Sequence, residues 1–267
     1  MGRVIFLNTG DPLNGDRAQA SFAVPLAGGE AMLFDASSGT VLLRQLETAG
    51  ILLEGLRHLF VTHRHFDHVG GLAPLLTALA AVPEASLTVH ATPRTLAALR
   101  DLLSLTIPGV EDWLGGRLRW ATLFPGRPTI AGDAEVTSFL VDHSLECVGF
   151  RVAQGGSTMA HAADTRPCPN VVEYARGADL LVHEAYGLED DAKRAQAFGH
   201  STAAEAGRVA RDAGARRLVL THFRSGRFVD PAQLAAEAEA AFGAPVEIAR
   251  PRRLRLLRKR CRCYNAA

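Results

Sequence analysis

Short apolar runs alternate with polar and glycine-rich punctuation from the first residues onward. Arg3–Leu7, Ser21–Leu26 and Ala31–Phe34 read as β-strands, since Gly, Pro, Asn or Asp separates each run from the next. A helix is expected over Thr40–Ala49, then a buried strand at His58–Val61, a polar loop, and a helix from about Leu72 to Ala81. Leu87–His90 is a further strand, and Pro93 suits the first position of the helix that follows. The stretch Ile107–Gly116, rich in Gly and Pro, reads either as a lid or as a plain connection. Strands return at Leu118–Leu123, Glu135–Val141, Val148–Ala153 and Ser157–His161. Strands and helices then alternate through Leu180–His183, Thr202–Ala213, Arg217–Leu220 and Pro231–Phe242. Both halves thus pass from antiparallel strands into strand–helix units, with polar residues where strands end. That order predicts an α/β protein built as an αββα sandwich, two facing mixed β-sheets with helices outside. No linker-like composition interrupts it, so residues 1–267 are expected to form one domain.

With 48% hydrophobic residues the chain can bury a large core. Its 29 basic and 28 acidic residues nearly cancel, which removes any reason to expect broad attraction to nucleic acid. The apolar start turns polar at Asn8, too soon for a signal peptide, and no apolar stretch reaches the roughly 18 residues of a membrane span. The four cysteines, Cys147, Cys168, Cys261 and Cys263, fit no paired framework and suit free thiols in a reducing compartment. The cytoplasm is the expected location, without membrane contact. A homodimer is the base-rate expectation for a soluble enzyme.

The densest chemistry lies in Thr62-His63-Arg64-His65-Phe66-Asp67-His68-Val69-Gly70-Gly71, between a predicted strand and a predicted helix. Imidazoles and carboxylates are the ligands that zinc, manganese and iron use. His63 and His65 alternate along an extended segment and so point the same way. Asp67 and His68 lie past the bend and can serve a second ion. A mere cluster of polar loop residues is the alternative, and three histidines with a carboxylate in six residues is too dense for it.

This H-x-H-x-D-H loop resembles the signature of the metallo-β-lactamase superfamily. The resemblance implies the remaining ligands: His143 in Val141-Asp142-His143-Ser144, Asp164 in Ala163-Asp164-Thr165-Arg166-Pro167-Cys168, and His222 in Leu220-Thr221-His222-Phe223. By that likeness His63, His65 and His143 hold one ion, Asp67, His68 and His222 hold the other, and Asp164 bridges them. Taken alone, each later site would be an ordinary polar residue at a strand end; their recurrence in family order carries them. Two divalent ions acidify water and clamp entering and leaving oxygens, which suits a phosphodiester, thioester, lactone or β-lactam. Zinc is the default for so many imidazoles, and manganese and iron also fit.

Two further segments narrow the reaction. Leu181-Val182-His183-Glu184-Ala185 and Gly199-His200-Ser201-Thr202-Ala203-Ala204-Glu205-Ala206 resemble the His-Glu-Ala and His-Ser-Thr segments of the ribonuclease Z branch, the transfer-RNA 3′-processing enzymes and their phosphodiesterase relatives. Phe6-Leu7-Asn8-Thr9-Gly10 looks like the same branch. Thr202 and Glu205 have capping-box spacing, so a helix should begin beside His200, and its free N–H groups should favour a phosphate. A protonated His200 could give its proton to a departing alkoxide, with Glu184 holding it charged. The bland alternative leaves His200 a neighbour of the cap and Glu184 a buried hydrogen-bond partner.

Departures from the branch bear on substrate. Its transfer-RNA enzymes often carry a long arm between the third histidine and the bridging aspartate, whereas here a step of 21 positions, filled by strand-like sequence, leads from His143 to Asp164. Asn8, Phe66 and Ala163 stand where the branch usually has glycine. The expected activity is therefore a binuclear metal-dependent phosphodiesterase with a small phosphodiester or nucleotide substrate, transfer RNA being in doubt. Asp67, His200 and Glu184 are the expected catalytic residues. The rival readings are a thioesterase, lactonase or sulfatase at the same metals, or a binding or regulatory module without turnover. His58, His90 and His161 read as structural, and Asp35 as a turn residue supporting the fold. The basic run 251–260 alternates with leucines, as an exposed edge strand guarded by charge would, or as phosphate contacts would.

Overall fold

The computed structural model describes residues 3–224, 229–251 and 254–256. Most of the strands expected from the apolar runs are present within a residue or two. In chain order they are β1 (Arg3–Asn8), β2 (Ser21–Pro25), β3 (Ala31–Phe34), β4 (Leu56–Phe60), β5 (Leu87–Ala91) and β6 (Leu118–Thr122). There follow β7 (Pro128–Ala131), β8 (Ala134–Leu140), β9 (Val148–Gln154), β10 (Ser157–His161), β11 (Leu180–Glu184), β12 (Leu218–Thr221), β13 (Val246–Ile248) and β14 (Leu254–Leu256). They make two sheets among the described residues, ordered β14-β1-β2-β3-β4-β5-β6 and β13-β12-β11-β10-β9-β8-β7. Each sheet is mixed: β3 through β6 run parallel, as do β10 through β13, and the other pairings are antiparallel.

Alternating side chains explain the layering. Val4 and Phe6 of β1, Met32 and Phe34 of β3, and Val182 of β11 face the gap between the sheets, where they meet Phe60, Phe150 and Val219. Their neighbours Ile5, Leu7 and Leu33 point outward onto helices, among them Val41–Thr48 and Leu72–Ala80. On the other side Leu181, Leu218 and Leu220 pack against helices Ala203–Asp212 and Pro231–Phe242. A strand apolar on both faces is stable only when both are covered. The result is the αββα sandwich.

Several elements differ from the sequence expectation. Strands β7 and β13, and helices Pro169–Tyr174 and Ala192–Phe198, were not anticipated. The Ile107–Gly116 stretch folds in part as a helix, Val110–Leu114, whose Val110 and Leu114 are buried in the outer core, so it is a packed connection and not a lid. Within the basic run, Leu254–Leu256 pairs antiparallel with β1 at a sheet edge, and residues 252–253 and 257–260 lie outside the described residues, as do Cys261 and Cys263. Cys147 is a buried free thiol and Cys168 a half-buried one. No described helix is long and apolar enough to cross a membrane.

Candidate metal centre

The chemistry gathers where strands of both sheets end. Beyond Phe60 the backbone stays non-helical through His65, then turns into the short helix Phe66–Val69. His63 and His65 therefore precede the turn, while Asp67 and His68 ride on it. His143 follows β8, Asp164 follows β10, Glu184 ends β11 and His222 follows β12. These side chains, distant in sequence, converge with His200 into three groups among the described residues; two hold the candidate ligands, and Glu184, His200 and His222 make the third.

In the first group, His65 Nδ1 lies 2.9 Å from His63 Nε2 and 3.2 Å from His143 Nε2. Three imidazole nitrogens aimed at one point are a donor set that a cation satisfies. In the second, Asp67 Oδ2 lies 3.2 Å from His222 Nε2 and 3.4 Å from His68 Nε2. Asp164 Oδ2 is 3.2 Å from His68 Nε2 and 3.4 Å from His222 Nε2, yet only 3.7 Å from His63 Nε2 in the first group. Asp164 thus reaches both groups, as a bridging carboxylate must. Within each group the candidate ligand atoms lie within 4.8 Å of one another, and His68 Nε2 is buried with no hydrogen-bond partner. Such an orphaned atom among nitrogens and carboxylate oxygens fits a divalent cation.

Electrostatics in the metal-free protein say the same. Burial alone would strip the proton from His222, but Asp164 and a hydrogen bond to Asp67 outweigh it and push its pKa up to about 9. Against the same burial, Asp164, Asp67 and Asp35 hold His68 well above its ordinary value. Burial likewise opposes the ionised forms of Asp67 and Asp164, yet His68 and His222 keep both below the usual carboxylate range. Two protons thus stand beside two carboxylates where positive charge is wanted. The first group is uncharged: burial pushes His143 down to about 4 and lowers His63 further from its ordinary value.

An outer ring of partners selects which nitrogen faces inward. His68 Nδ1 is 2.8 Å from Asp35 Oδ2, His63 Nδ1 is 2.8 Å from Thr62 Oγ1, and His143 Nδ1 is 2.8 Å from the Gly199 carbonyl. Asp35 also accepts from the Thr62 backbone N–H and hydroxyl. It is therefore more than a turn residue, and the sequence reading undervalued it. An acid closing a strand, in a chain with a histidine in need of orientation, was the available signal. Among the described residues four non-glycine residues have left-handed backbone, Asp35, Ser37, Ala163 and His222, and all four are candidate ligands or sit beside the candidate ligand loops. That conformation is costly for residues with a Cβ. Ala163, one of the departures from glycine noted above, has φ +57.

Beside the two groups, His200 Nδ1 lies 2.8 Å from Glu184 Oε1, which also accepts the Thr165 N–H. Burial would lower the His200 pKa, but the facing Glu184 carboxylate overrides it and raises it. His200 follows Gly199, whose φ of +86 ends helix Ala192–Phe198. A Cβ at Gly199 would sit 2.7 Å from His143 Nδ1, so only glycine lets the two segments meet.

The capping box at Thr202 and Glu205 is present and the helix begins at Ala203, but its phosphate role is corrected. The Ala203 N–H goes to Gly187 O, the Ala204 N–H to Glu237 Oε1 and the Glu205 N–H to Thr202 Oγ1. Glu189 accepts from the Thr202 hydroxyl as well. With its donors taken and two acids alongside, this helix start holds its own chain and has no free N–H for an anion. Away from the centre, His58 Nδ1 pairs with His90 Nε2 at 3.0 Å. His161 is buried edge-on against Phe22, beside a small internal pocket that His68, Asp164 and His222 also line.

A cleft of about 450 Å³ opens onto both groups, reached by His65, Asp67, Asp164, His200 and His222. A larger cavity, about 980 Å³ and bordered by Arg17, Glu247 and Arg250, contains none of these residues.

A family model described as a beta-lactamase superfamily domain matches residues 31–223. Ribonuclease Z of Haloferax volcanii is 30% identical over 92% of this chain and 92% of its own. That alignment runs over 300 positions, more than the 267 residues of this chain, so the relative carries segments with no counterpart here. Ribonuclease Z of Streptomyces avermitilis is 31% identical over 79% of this chain and 83% of its own. Among solved structures, the metallo-beta-lactamase fold protein YhfI from Bacillus subtilis superposes with a TM-score of 0.80, at 24% identity over 95% of this chain and 98% of that one. The human tRNase Z, short form, gives 0.75 at 23% identity, covering 96% and 100%.

Proposed function

The chain belongs to the β-lactamase superfamily, in its ribonuclease Z-like branch, and from that premise we propose a binuclear metal-dependent phosphodiesterase acting on small phosphodiesters or nucleotides. His63, His65 and His143 would hold one ion, Asp67, His68 and His222 the other, with Asp164 between them; zinc suits the imidazole-rich set. Bound divalent ions supply acidified water and charge neutralisation at the phosphate.

The observation that carries the reading is the His200–Glu184 pair at 2.8 Å, set in the cleft beside both ligand groups. With Nδ1 committed to Glu184, Nε2 of His200 is the atom left to give a proton to a departing alkoxide. Glu184, 1% exposed, keeps the imidazole charged until that moment and cannot itself reach water. Asp67, which lines the same cleft, would orient the attacking water. An acid for the leaving group matters for a phosphodiester with an alkoxide leaving group, and little for a thioester, whose thiolate departs without a proton.

The test is turnover by zinc-, manganese- and iron-loaded protein of bis-p-nitrophenyl phosphate, an acyl thioester, a homoserine lactone and an aryl sulfate. Hydrolysis of the phosphodiester at least tenfold above the others is expected. Turnover concentrated in any of the other three would overturn the assignment.

A further inference from the structure

The rings around His200 form a ladder that runs from the second ligand group outward to the cleft wall. His222 and His200 lie with centroids 5.6 Å apart and planes 24° apart; His200 and Tyr186 follow at 5.2 Å and 14°. Tyr186 and Phe198 continue at 6.3 Å and 26°. Tyr186 is 5% exposed and fixed twice over: Arg194 Nε donates to its hydroxyl at 3.2 Å, and the Arg224 guanidinium lies 4.7 Å from its ring centroid. Phe198 ends the ladder 55% exposed, and Phe66 in the metal loop is 64% exposed. Both line the same cleft as the candidate ligands.

An exposed ring standing alone needs no cover, but Phe66 and Phe198 share one cleft with the candidate ligands, as the apolar walls of a ligand site do. Here the covering group can be placed by chemistry. The proton donor must lie on the side of the departing oxygen, so a ladder running outward from His200 follows the leaving group. We propose that Phe198 is a stacking platform for the base of the leaving nucleoside, so that the preferred substrate is a phosphodiester whose departing alcohol carries a nucleobase. This rests on the phosphodiesterase reading and names its substrate class. Stacking on an aromatic face tolerates every base, so selectivity among the four is weak. Phe198 is a specificity residue; it takes no part in proton transfer.

The experiment pairs a dinucleoside monophosphate with its analogue lacking the base on the leaving side, both assayed with metal-loaded protein. Native protein is expected to favour the base-bearing substrate roughly tenfold in kcat/KM, mostly through KM. Phe198→Ala should erase that preference by losing far more on the base-bearing substrate than on the abasic one, and Phe198→Tyr should keep it. A second readout needs no turnover: fluorescence of a 2-aminopurine nucleoside monophosphate should be quenched by native and Phe198→Tyr protein and not by Phe198→Ala. Equal cleavage of both substrates by native protein, or equal losses on both in Phe198→Ala, overturns the stacking role alone. Failure to cleave either of these or bis-p-nitrophenyl phosphate overturns the phosphodiesterase reading beneath it.

Discussion

Glu184 and His200 divide one task between a buried carboxylate and an imidazole that lines the cleft, which makes His200 the most informative single substitution. His200→Ala should retain its metals and lose about 10²–10⁴ in rate on a diester with an alkoxide leaving group. The loss should shrink with nitrophenolate, which departs without a proton. Equal losses on the two diesters in steady-state kinetics would argue for a structural role. Asp35 offers a complementary test, because Asn tolerates its left-handed backbone and isolates the charge. Asp35→Asn should weaken metal binding by about 10–100-fold through a misoriented His68, read by competition with a chromophoric chelator. Unchanged affinity would demote it again to a turn residue. At this scale the sequence disclosed the candidate ligands, because their types are rare and densely spaced. It concealed Asp35 and Phe198, whose significance lies in what they face.

Elements were legible where a strand is apolar on both faces, as in Arg3–Leu7 and Ala31–Phe34, since covered sheets demand that pattern. The strand Pro128–Ala131 escaped because it is a mostly exposed edge, held by pairing with its neighbour and not by its own pattern. Helix Ala192–Phe198 escaped because only Ala195 is buried, leaving no apolar stripe to read. Strands β4 and β5 also carry a titrating pair. Burial pushes His90, which stacks on Phe60 at 4.3 Å, down to about 4, and it lowers its partner His58 as well. An unfolded histidine near 6.5 binds a proton that the folded His90 refuses, so stability is complete above pH 6.5 and falls as pH drops towards about 4. His90→Phe keeps a ring on Phe60 and removes the titration. Urea unfolding of the metal-free variant should show a shallower fall across that window, by up to about 1.4 kcal/mol per pH unit. An unchanged slope would mean the pair is not responsible.

Across the whole molecule, charge governs both metal and substrate. His222 holds its proton up to about pH 9 in the metal-free protein, and His68 is raised too, so filling the second group must expel protons. Apparent metal affinity should rise with pH towards 9, and calorimetric heats should vary with the ionisation enthalpy of the buffer. Heats independent of buffer would contradict the protonated histidines. For substrate, the net charge of +1 and the short step from His143 to Asp164 leave little to grip a large folded RNA. Small diesters should outcompete precursor transfer RNA at moderate salt. Efficient 3′ cleavage of the RNA by the full chain, lost when residues 251–267 are removed, would reverse that preference and assign the grip to the basic run.

The candidate ligands are also distributed between the two sheets: His63, His65, Asp67 and His68 follow a strand of one, and His143, Asp164 and His222 follow strands of the other. Mechanically the centre is a rivet through two plates that otherwise touch through a layer of phenylalanine and aliphatic side chains. Pulling the plates apart shears the rivet, so ions bound there would act as a clamp on unfolding as well as reagents. Thermal midpoints should then climb with free metal concentration. A chelator should hasten denaturation of a protein whose core it never enters, and a cell short of metal would hold a looser sandwich, exposed to proteases before its chemistry is ever missed.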